Sequence, residues 1–254
     1  MPPGSWLSGQ AFDYLLLFAR IGAAMMILPG LSATAVSMRA RLSLSLVMVA
    51  MLLPVLQPHL PPQPNGPVPL ALLVISEVTI GIFLGMLTQT LLSALEVCGT
   101  FISYVVGLTN ALTYDPVTQA QSQLMTGFLN TIGLALLLIS ETHHLMFRAL
   151  VDSYATFVPG QWIATDAAAE TLVRAMSDSF GMALRLAAPL VVFSLIFNGG
   201  LGLLNRLVPQ IQVFFVGAPL QILLGLSLLM ISLPFMMQLL LRHIAGGFAL
   251  FGGG

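Results

Sequence analysis

The stretch EVTIGIFLGMLTQ, from Glu77 to Gln89, begins with an acid and is followed by no further charge until Glu96. This apolar run approaches the roughly 20 residues that a helix needs to cross the hydrocarbon core of a membrane. Gly81 and Gly85 lie on one face of such a helix, and small residues there let a second helix approach closely. Chance glycines in a glycine-rich chain would give the same spacing. We predict a membrane helix with Gly81 and Gly85 as its packing face.

The acid at the head of this run is a candidate functional residue. A carboxylate inside a membrane helix is costly, so its presence indicates a role or a charged partner. The alternative is a position near water at a helix end, which we expect for Glu96. We predict that Glu77 is a buried charge.

The composition indicates a membrane protein. Of 254 residues, 57% are hydrophobic and 7% are charged, whereas soluble domains carry about 25% charged residues. The chain is therefore polytopic or part of a membrane-borne assembly. The net charge of -1 indicates no nucleic-acid partner. Cys98, the single cysteine, excludes an internal disulfide and is expected in the core.

Charges and prolines divide the chain into predicted segments. We expect spans, extended or polar connectors and a final helical hairpin, as follows: spans at 11–29, 42–56 and within 116–140; a proline-rich extended connector at 57–69; a long helix at 70–95, with a continuation or a bent partner helix to 106; a polar loop and amphipathic helix start at 159–178; and hairpin helices at 180–204 and 218–241. Arginines fall on both sides of these spans, so the positive-inside rule gives no orientation.

The hairpin connector at 205–217 combines Val-Phe-Phe-Val with amides and prolines. Irregular backbone at membrane depth requires surrounding protein or water. We expect it to pack against protein, with Gln210 buried and Pro209 and Pro219 setting the breaks. A plain interfacial turn is the alternative.

The stretch ETHHLMFR, 141–148, contains adjacent histidines. On a helix His143 and His144 diverge by about 100°, whereas metal-binding pairs prefer i, i+4 spacing. Glu141, His144 and Arg148 would share a face and form a small polar network. We predict no metal site and no cofactor, and because the chain has no recognisable nucleophile motif, no enzymatic activity.

A series of landmarks runs along most of the chain: Arg20, Pro29, Met38-Arg39, Glu77, Ile80-Gly81, Gly85, Gly99, Gly107, Asp115-Pro116, His143-His144, Ser153, Pro159, Pro189, Asn198, Gly202, Arg206, Pro209-Gln210, Val213-Phe214, Gly217 and Pro219. In this order they resemble the FliR family of flagellar export-gate membrane proteins. Two departures are Gln212, where the family usually has Asn, and Glu141-Thr142, where Gly-Gly commonly precedes the histidine pair.

The resemblance implies an all-α membrane protein of kinked and broken helical hairpins, built into a helical ring. Residues 1–178 would be FliP-like and residues 179–254 a FliQ-like hairpin. The implied role is a non-enzymatic subunit of the flagellar type III export gate in the bacterial inner membrane, at the flagellar basal body. Implied partners are FliP-like, FliQ-like, FlhB-like and FlhA-like proteins, unfolded export substrates and membrane lipid.

The resemblance also assigns roles to two segments. Loop 108–121 would plug the closed pore, through Leu108, Thr109, Asn110, Ala111, Leu112, Thr113, Tyr114, Asp115 and Pro116. The bend toward the cytoplasmic entrance would serve gating, through Arg206, Pro209, Gln210, Gln212, Phe214 and Gly217.

Three alternatives stay open. The chain could be the equivalent subunit of a virulence secretion system. A secondary transporter with broken helices would show matching breaks in two halves, and the connectors 57–69 and 205–217 do not match. A membrane-embedded hydrolase could use the histidine pair, but it would need a nucleophile.

Overall fold

The computed structural model describes residues 3–30, 36–64, 66–108, 120–208 and 213–249. These ranges are almost wholly helical and contain no strand, which confirms the predicted all-α class. The helices are α1 Pro3–Ile27, α2 Met38–Leu56, α3 Pro67–Val106, α4 Ala120–Ile139, α5 His143–Thr156, α6 Thr165–Leu207 and α7 Val213–Ala249.

Several helices can span a membrane. Within the described ranges, five are long and apolar enough, namely Gly9–Ile27, Met38–His59, Pro67–Val106, Thr165–Leu207 and Val216–Phe248. The broken pair α4 and α5 makes a sixth if it counts as one span. The predicted polytopic membrane protein is confirmed.

Contacts divide the described residues into two compact units. The first unit is drawn from Met1–Leu91, Glu141–Met176 and Ala245–Gly254, and the second from Leu92–Ser140 and Ser177–Ile244. The predicted division into 1–178 and 179–254 concerns likeness to two other proteins, so it stays a prediction.

Two predicted connectors are shorter than expected. The proline-rich segment forms a 3₁₀ turn at Gln57–His59, and α3 already begins at Pro67. Proline is well tolerated in the first turn of a helix, where its missing N–H would have no partner in any case. Extended backbone is therefore confined to the middle of the predicted connector 57–69.

The prediction for the hairpin connector 205–217 needs a larger correction. Arg206 lies exposed in the last turn of α6, whereas Phe214 and Gly217 belong to the first turns of α7. Pro219 lies inside α7 and does not break it, because a membrane helix tolerates one lost backbone hydrogen bond when neighbouring groups compensate. The predicted site residues Pro209, Gln210 and Gln212 lie outside the described residues.

Glu96 is also placed differently from expectation. It lies within α3, ten residues before the helix ends at Val106, and its side chain is exposed. The prediction of a helix end was wrong, because the apolar pattern continues past the charge and the helix continues with it.

The break between α4 and α5 is made by an unusual backbone conformation at Glu141. Its φ is 58°, the left-handed region that glycine favours. The Glu141 carbonyl then accepts a hydrogen bond from the His144 amide at 2.9 Å. Because α5 begins only at His143, the predicted helix face of Glu141, His144 and Arg148 does not form, and Arg148 pairs with Asp152 at 3.6 Å.

We expect Glu141→Gly to stabilise the chain, because a side chain in the left-handed region costs about 1–2 kcal/mol. The measurement is thermal unfolding in mild detergent. The matched control is Ala169→Gly, at an exposed position within α6, which should lose about 0.5–1 kcal/mol of stability. A lower unfolding temperature for Glu141→Gly would show that its side chain matters more than its backbone.

Candidate functional sites: a buried arginine cluster and the flank of the predicted plug loop

The core of the first unit contains an ion pair between α1 and α3. Arg20 and Glu77 are both fully buried, at 0% exposure. The Nε of Arg20 donates to Oε2 of Glu77 at 2.7 Å, and Nη2 donates to Oε1 at 3.0 Å. This two-point pairing matches the planar guanidinium to the carboxylate. The structure thus places Glu77 as a buried charge and supplies the partner that an acid within a membrane helix requires.

The remaining donors of Arg20 are satisfied by the end of α5. Its Nη1 donates to the Ser153 carbonyl at 3.2 Å and to Ser153 Oγ at 3.4 Å. Its Nη2 donates to the Phe157 carbonyl at 3.0 Å. A guanidinium has five N–H donors, and each of them has an acceptor here. The Tyr154 ring lies 4.1 Å from Cζ, a cation–π contact.

Glu77 also holds the turn that follows α5. The Gly160 amide donates to Glu77 Oε1 at 3.3 Å, and Gly160 adopts a positive φ of 87°. Nearby, the rings of Phe83 and Phe157 pack edge to face with centroids 6.0 Å apart. The cluster therefore joins α1, α3, the end of α5 and the turn after it.

The two predicted packing glycines continue the same face of α3. A Cβ on Gly81 would overlap the Arg20 carbonyl oxygen, and one on Gly85 would lie 2.8 Å from Ile27 Cβ. Contacts thus run along both helices in the same direction, so α1 and α3 pack in parallel. Gly81 and Gly85 serve packing within this chain, and they let α1 approach closely enough for Arg20 to reach Glu77.

We expect Glu77→Leu to destabilise the chain by about 3–5 kcal/mol, because the buried guanidinium loses its counter-charge. The double variant Glu77→Leu with Arg20→Met should regain part of the lost stability, because no unpaired buried charge remains. Thermal unfolding in mild detergent measures both.

The matched control for this pair is Glu170→Gln. Glu170 pairs with Arg174 on the exposed surface of α6, and such pairs contribute about 0–1 kcal/mol. A double variant as unstable as Glu77→Leu alone would show that the hydrogen bonds of Arg20, more than its charge, hold the cluster.

In the second unit, α3 ends with a defined stop just before the predicted plug loop. Gly107 has a positive φ of 85°. The Leu108 amide donates to the Ser103 carbonyl, and the Gly107 amide donates to the Tyr104 carbonyl, both at 3.1 Å. These two bonds form a Schellman motif, which satisfies carbonyls at a helix end.

Helix α7 stabilises this end of α3. Gln221 Nε2 donates to the Val105 carbonyl at 2.8 Å, which satisfies another terminal carbonyl of α3. One helical turn further on, a Cβ on Gly225 would lie 2.8 Å from Val106 Cγ1. Gln221 is buried. The sequence analysis did not identify Gln221 as a site residue. The signal that could have identified it is an isolated amide in an otherwise apolar helix.

The structure describes the predicted plug residues only at their edge. Leu108 is half-buried, and its amide belongs to the Schellman motif. The predicted residues Thr109, Asn110, Ala111, Leu112, Thr113, Tyr114, Asp115 and Pro116 lie outside the described residues. Because α4 begins at Ala120, the last two residues of the predicted loop 108–121 are helical.

We expect Gln221→Leu to loosen the end of α3, since an orphaned buried carbonyl costs about 1–3 kcal/mol. The measurement is limited proteolysis in mild detergent, with faster cleavage after Leu108 expected. Gln238→Leu, at an exposed position of the same helix, is the control and should leave the cleavage rate unchanged. Equal rates for Gln221→Leu and the parent would exclude this anchoring role.

The histidine pair shows no metal-binding arrangement in the part of the chain that the structure describes. The rings of His143 and His144 have centroids 4.2 Å apart. No group of three or more His, Cys, Asp or Glu side chains among the described residues could hold a metal ion.

The helical fold and its long apolar helices define a polytopic all-α membrane protein. The family model "Bacterial export proteins, family 1" matches residues 11–246. The flagellar biosynthetic protein FliR of Caulobacter vibrioides is 38% identical over 224 residues, 88% of this chain and 89% of the relative. FliR of Escherichia coli is 31% identical over 235 residues, 91% of this chain and 86% of the relative. The chain belongs to the FliR family of bacterial export proteins.

Proposed function

We propose that this chain is a non-enzymatic subunit of the flagellar type III protein export gate, in the bacterial inner membrane at the flagellar basal body. The observation that carries the proposal is the match over residues 11–246. The relatives reported above are named as flagellar biosynthetic proteins, which favours the flagellar over the virulence system. A match to export proteins also disfavours the secondary transporter.

The surface of α6 independently supports a multi-subunit assembly. Large apolar side chains are exposed along it from Phe180, at 50%, to Leu207, at 77%. At 1.5 Å per residue this distance is about 40 Å, whereas the hydrocarbon core is about 30 Å thick. A helix that crosses the membrane upright leaves part of this row outside the hydrocarbon core. Partner helices, of FliP-like and FliQ-like subunits, would cover the remainder.

Within this gate, residues 1–178 would take a FliP-like position and 179–254 the position of a FliQ-like hairpin. Loop 108–121 would close the passage by steric fill, and the Gln221 anchor supports this because it holds the end of α3, just before the loop, to α7. The bend with Arg206, Phe214 and Gly217 would lie toward the cytoplasmic entrance. FlhB-like and FlhA-like partners would supply regulation and drive, so this subunit itself performs no chemistry.

The test uses a bacterial strain that lacks its own copy of this protein. The full chain should restore motility and secretion, and a tagged chain should co-purify FliP-like and FliQ-like proteins in mild detergent. Deleting 109–119 should preserve co-purification and raise ion conductance of the membrane. The control replaces the same segment by a glycine-serine linker of equal length. Membranes with this control should conduct fewer ions than membranes with the deletion.

Two results would contradict the proposal. A chain that purifies alone and restores no secretion would exclude the gate-subunit role. Unchanged conductance in an assembled gate that carries the deletion would contradict the plug role and leave the gate-subunit role in place.

A further inference from the structure

We propose that α2 forms a lipid-facing side of this subunit and that Arg39, in its first turn, binds the phosphate of an anionic phospholipid. This lipid contact goes beyond the proposed function and holds whatever the subunit does in export. It places α2 at the perimeter of any assembly that contains this chain.

The length of α2 matches the membrane. Its 19 residues extend over about 28 Å, close to the roughly 30 Å of the hydrocarbon core. Helices α3, α6 and α7, with 40, 43 and 37 residues, are much longer than that core. The apolar part of α1, Gly9–Ile27, also has 19 residues, but it contains Asp13 and the buried Arg20. In α2 the charges, Arg39 and Arg41, lie only in the first turn.

Large apolar side chains are exposed around most of α2. They are Leu42, Leu44, Leu46, Val47, Met51 and Val55. Because successive helical residues turn by about 100°, these positions cover about 220° of the circumference. The opposite side carries the buried residues of the helix, Ser45, Val49 and Leu56. One partner helix would cover only part of the exposed arc, whereas fluid lipid covers all of it.

The neighbour on the remaining side is α1. The Tyr14 hydroxyl donates to the Leu46 carbonyl at 2.5 Å, and Gln57 Nε2 donates to Asp13 Oδ2 at 3.3 Å. Even so, only 17% of the apolar span of α2 is buried, the smallest share among the candidate spans of the described ranges. Most of this helix therefore needs an apolar medium from outside the chain.

The composition of α2 favours lipid over a partner helix as that medium. Small residues, above all glycine, let two membrane helices approach closely, and α2 contains no glycine. By contrast, α6 exposes Gly199, Gly200 and Gly202, where an added Cβ would meet open space. The hydroxyls of Ser43 and Ser45 donate to carbonyls of their own helix, at 2.9 and 2.8 Å, so neither needs water.

Arg39 supplies the charge that meets a lipid head group. Its side chain is exposed, and none of the ion pairs within the described ranges includes it. Arg41 is held differently, because its Nη2 donates to the Val36 carbonyl at 3.0 Å. A guanidinium is a planar fork of N–H donors that matches phosphate at two points. At the start of a span of membrane length, it lies at the level of the head groups, where its charge favours an anionic lipid.

Spin labels on α2 test the lipid contact. Cys98 is the single cysteine, so Cys98→Ala gives a background in which Val47→Cys carries the label, or Met51→Cys if the first variant does not assemble. The full chain is assembled with its partners in phospholipid vesicles. Collisions of the label with oxygen, which concentrates in hydrocarbon, are compared with collisions with a water-soluble nickel chelate. The matched controls are Val49→Cys, buried on α2, and Gln63→Cys, exposed in the connector that follows it.

We expect the label at Val47 to collide more often with oxygen than with the chelate, and the label at Gln63 to show the reverse. The buried label at Val49 should collide rarely with either reagent. Rare collisions with both reagents at Val47 and Met51 would mean that a partner subunit covers α2. Frequent collisions with the chelate would place α2 in water. Either of these two results overturns the lipid contact.

A fluorophore on Ser43→Cys, in the same background, tests the head-group contact, because Ser43 lies one turn after Arg39 on the same side of α2. In vesicles of phosphatidylcholine and phosphatidylglycerol, one lipid at a time is brominated, and the stronger quencher is the preferred lipid. We expect phosphatidylglycerol to be preferred. Arg39→Gln should lower this preference about fivefold, whereas Arg39→Lys should retain most of it. The control Arg174→Gln removes a charge that is already paired with Glu170 and should leave the preference unchanged.

Three results decide against the proposal or against the function proposed above. An equal preference in the parent chain and in Arg39→Gln would overturn the phosphate contact. A loss in Arg174→Gln as large as in Arg39→Gln would show a general effect of charge and would overturn it as well. A parent chain that restores no secretion would instead refute the export role, which neither the collisions nor the quenching measures.

Discussion

A guanidinium removed from water must have an acceptor for each of its donors, and this requirement at Arg20 organises the first unit. One carboxylate cannot satisfy it. The end of α5 supplies the missing carbonyls through Ser153 and Phe157, and Glu77 in turn receives the Gly160 amide. Three parts of the chain that are distant in sequence, around Arg20, Glu77 and residues 153–160, must therefore come together at one charge. Such a pair need not add net stability, but it strongly penalises any arrangement that separates its members.

The packing of α1 on α3 follows from the same constraint. Glu77 can meet Arg20 only if the two backbones approach closely, and Gly81 provides the space next to the Arg20 carbonyl. Gly85 repeats this one turn further along. Charge and small residues thus act together: the glycines allow the approach, and the ion pair sets the register along the helices.

The breaks between helices show which structural features the sequence predicts and which it does not. Prolines were expected to mark breaks, yet Pro67 begins α3 and Pro219 lies inside α7. The stops that frame the predicted plug loop and the histidine pair are instead made by positive φ angles, at Gly107 and Glu141. A missing N–H costs a helix one bond, whereas a left-handed residue reverses the backbone direction. The glycine was a landmark of the resemblance, whereas Glu141 stood out only as a departure from a common Gly-Gly, since no side-chain property of Glu predicts that conformation.

The apolar composition by itself determined a polytopic helical membrane protein, because so few charges cannot cover a soluble surface. The spacing of Glu77, Gly81 and Gly85 likewise defined a packing face, since helical periodicity is a local property. Only the tertiary structure decided that α1 occupies this face, that Arg20 neutralises Glu77, and that Gln221 holds the end of α3. Those partners are separated by 57 and 116 residues along the chain. Local sequence patterns carry no information about such pairings, which depend on how whole helices meet.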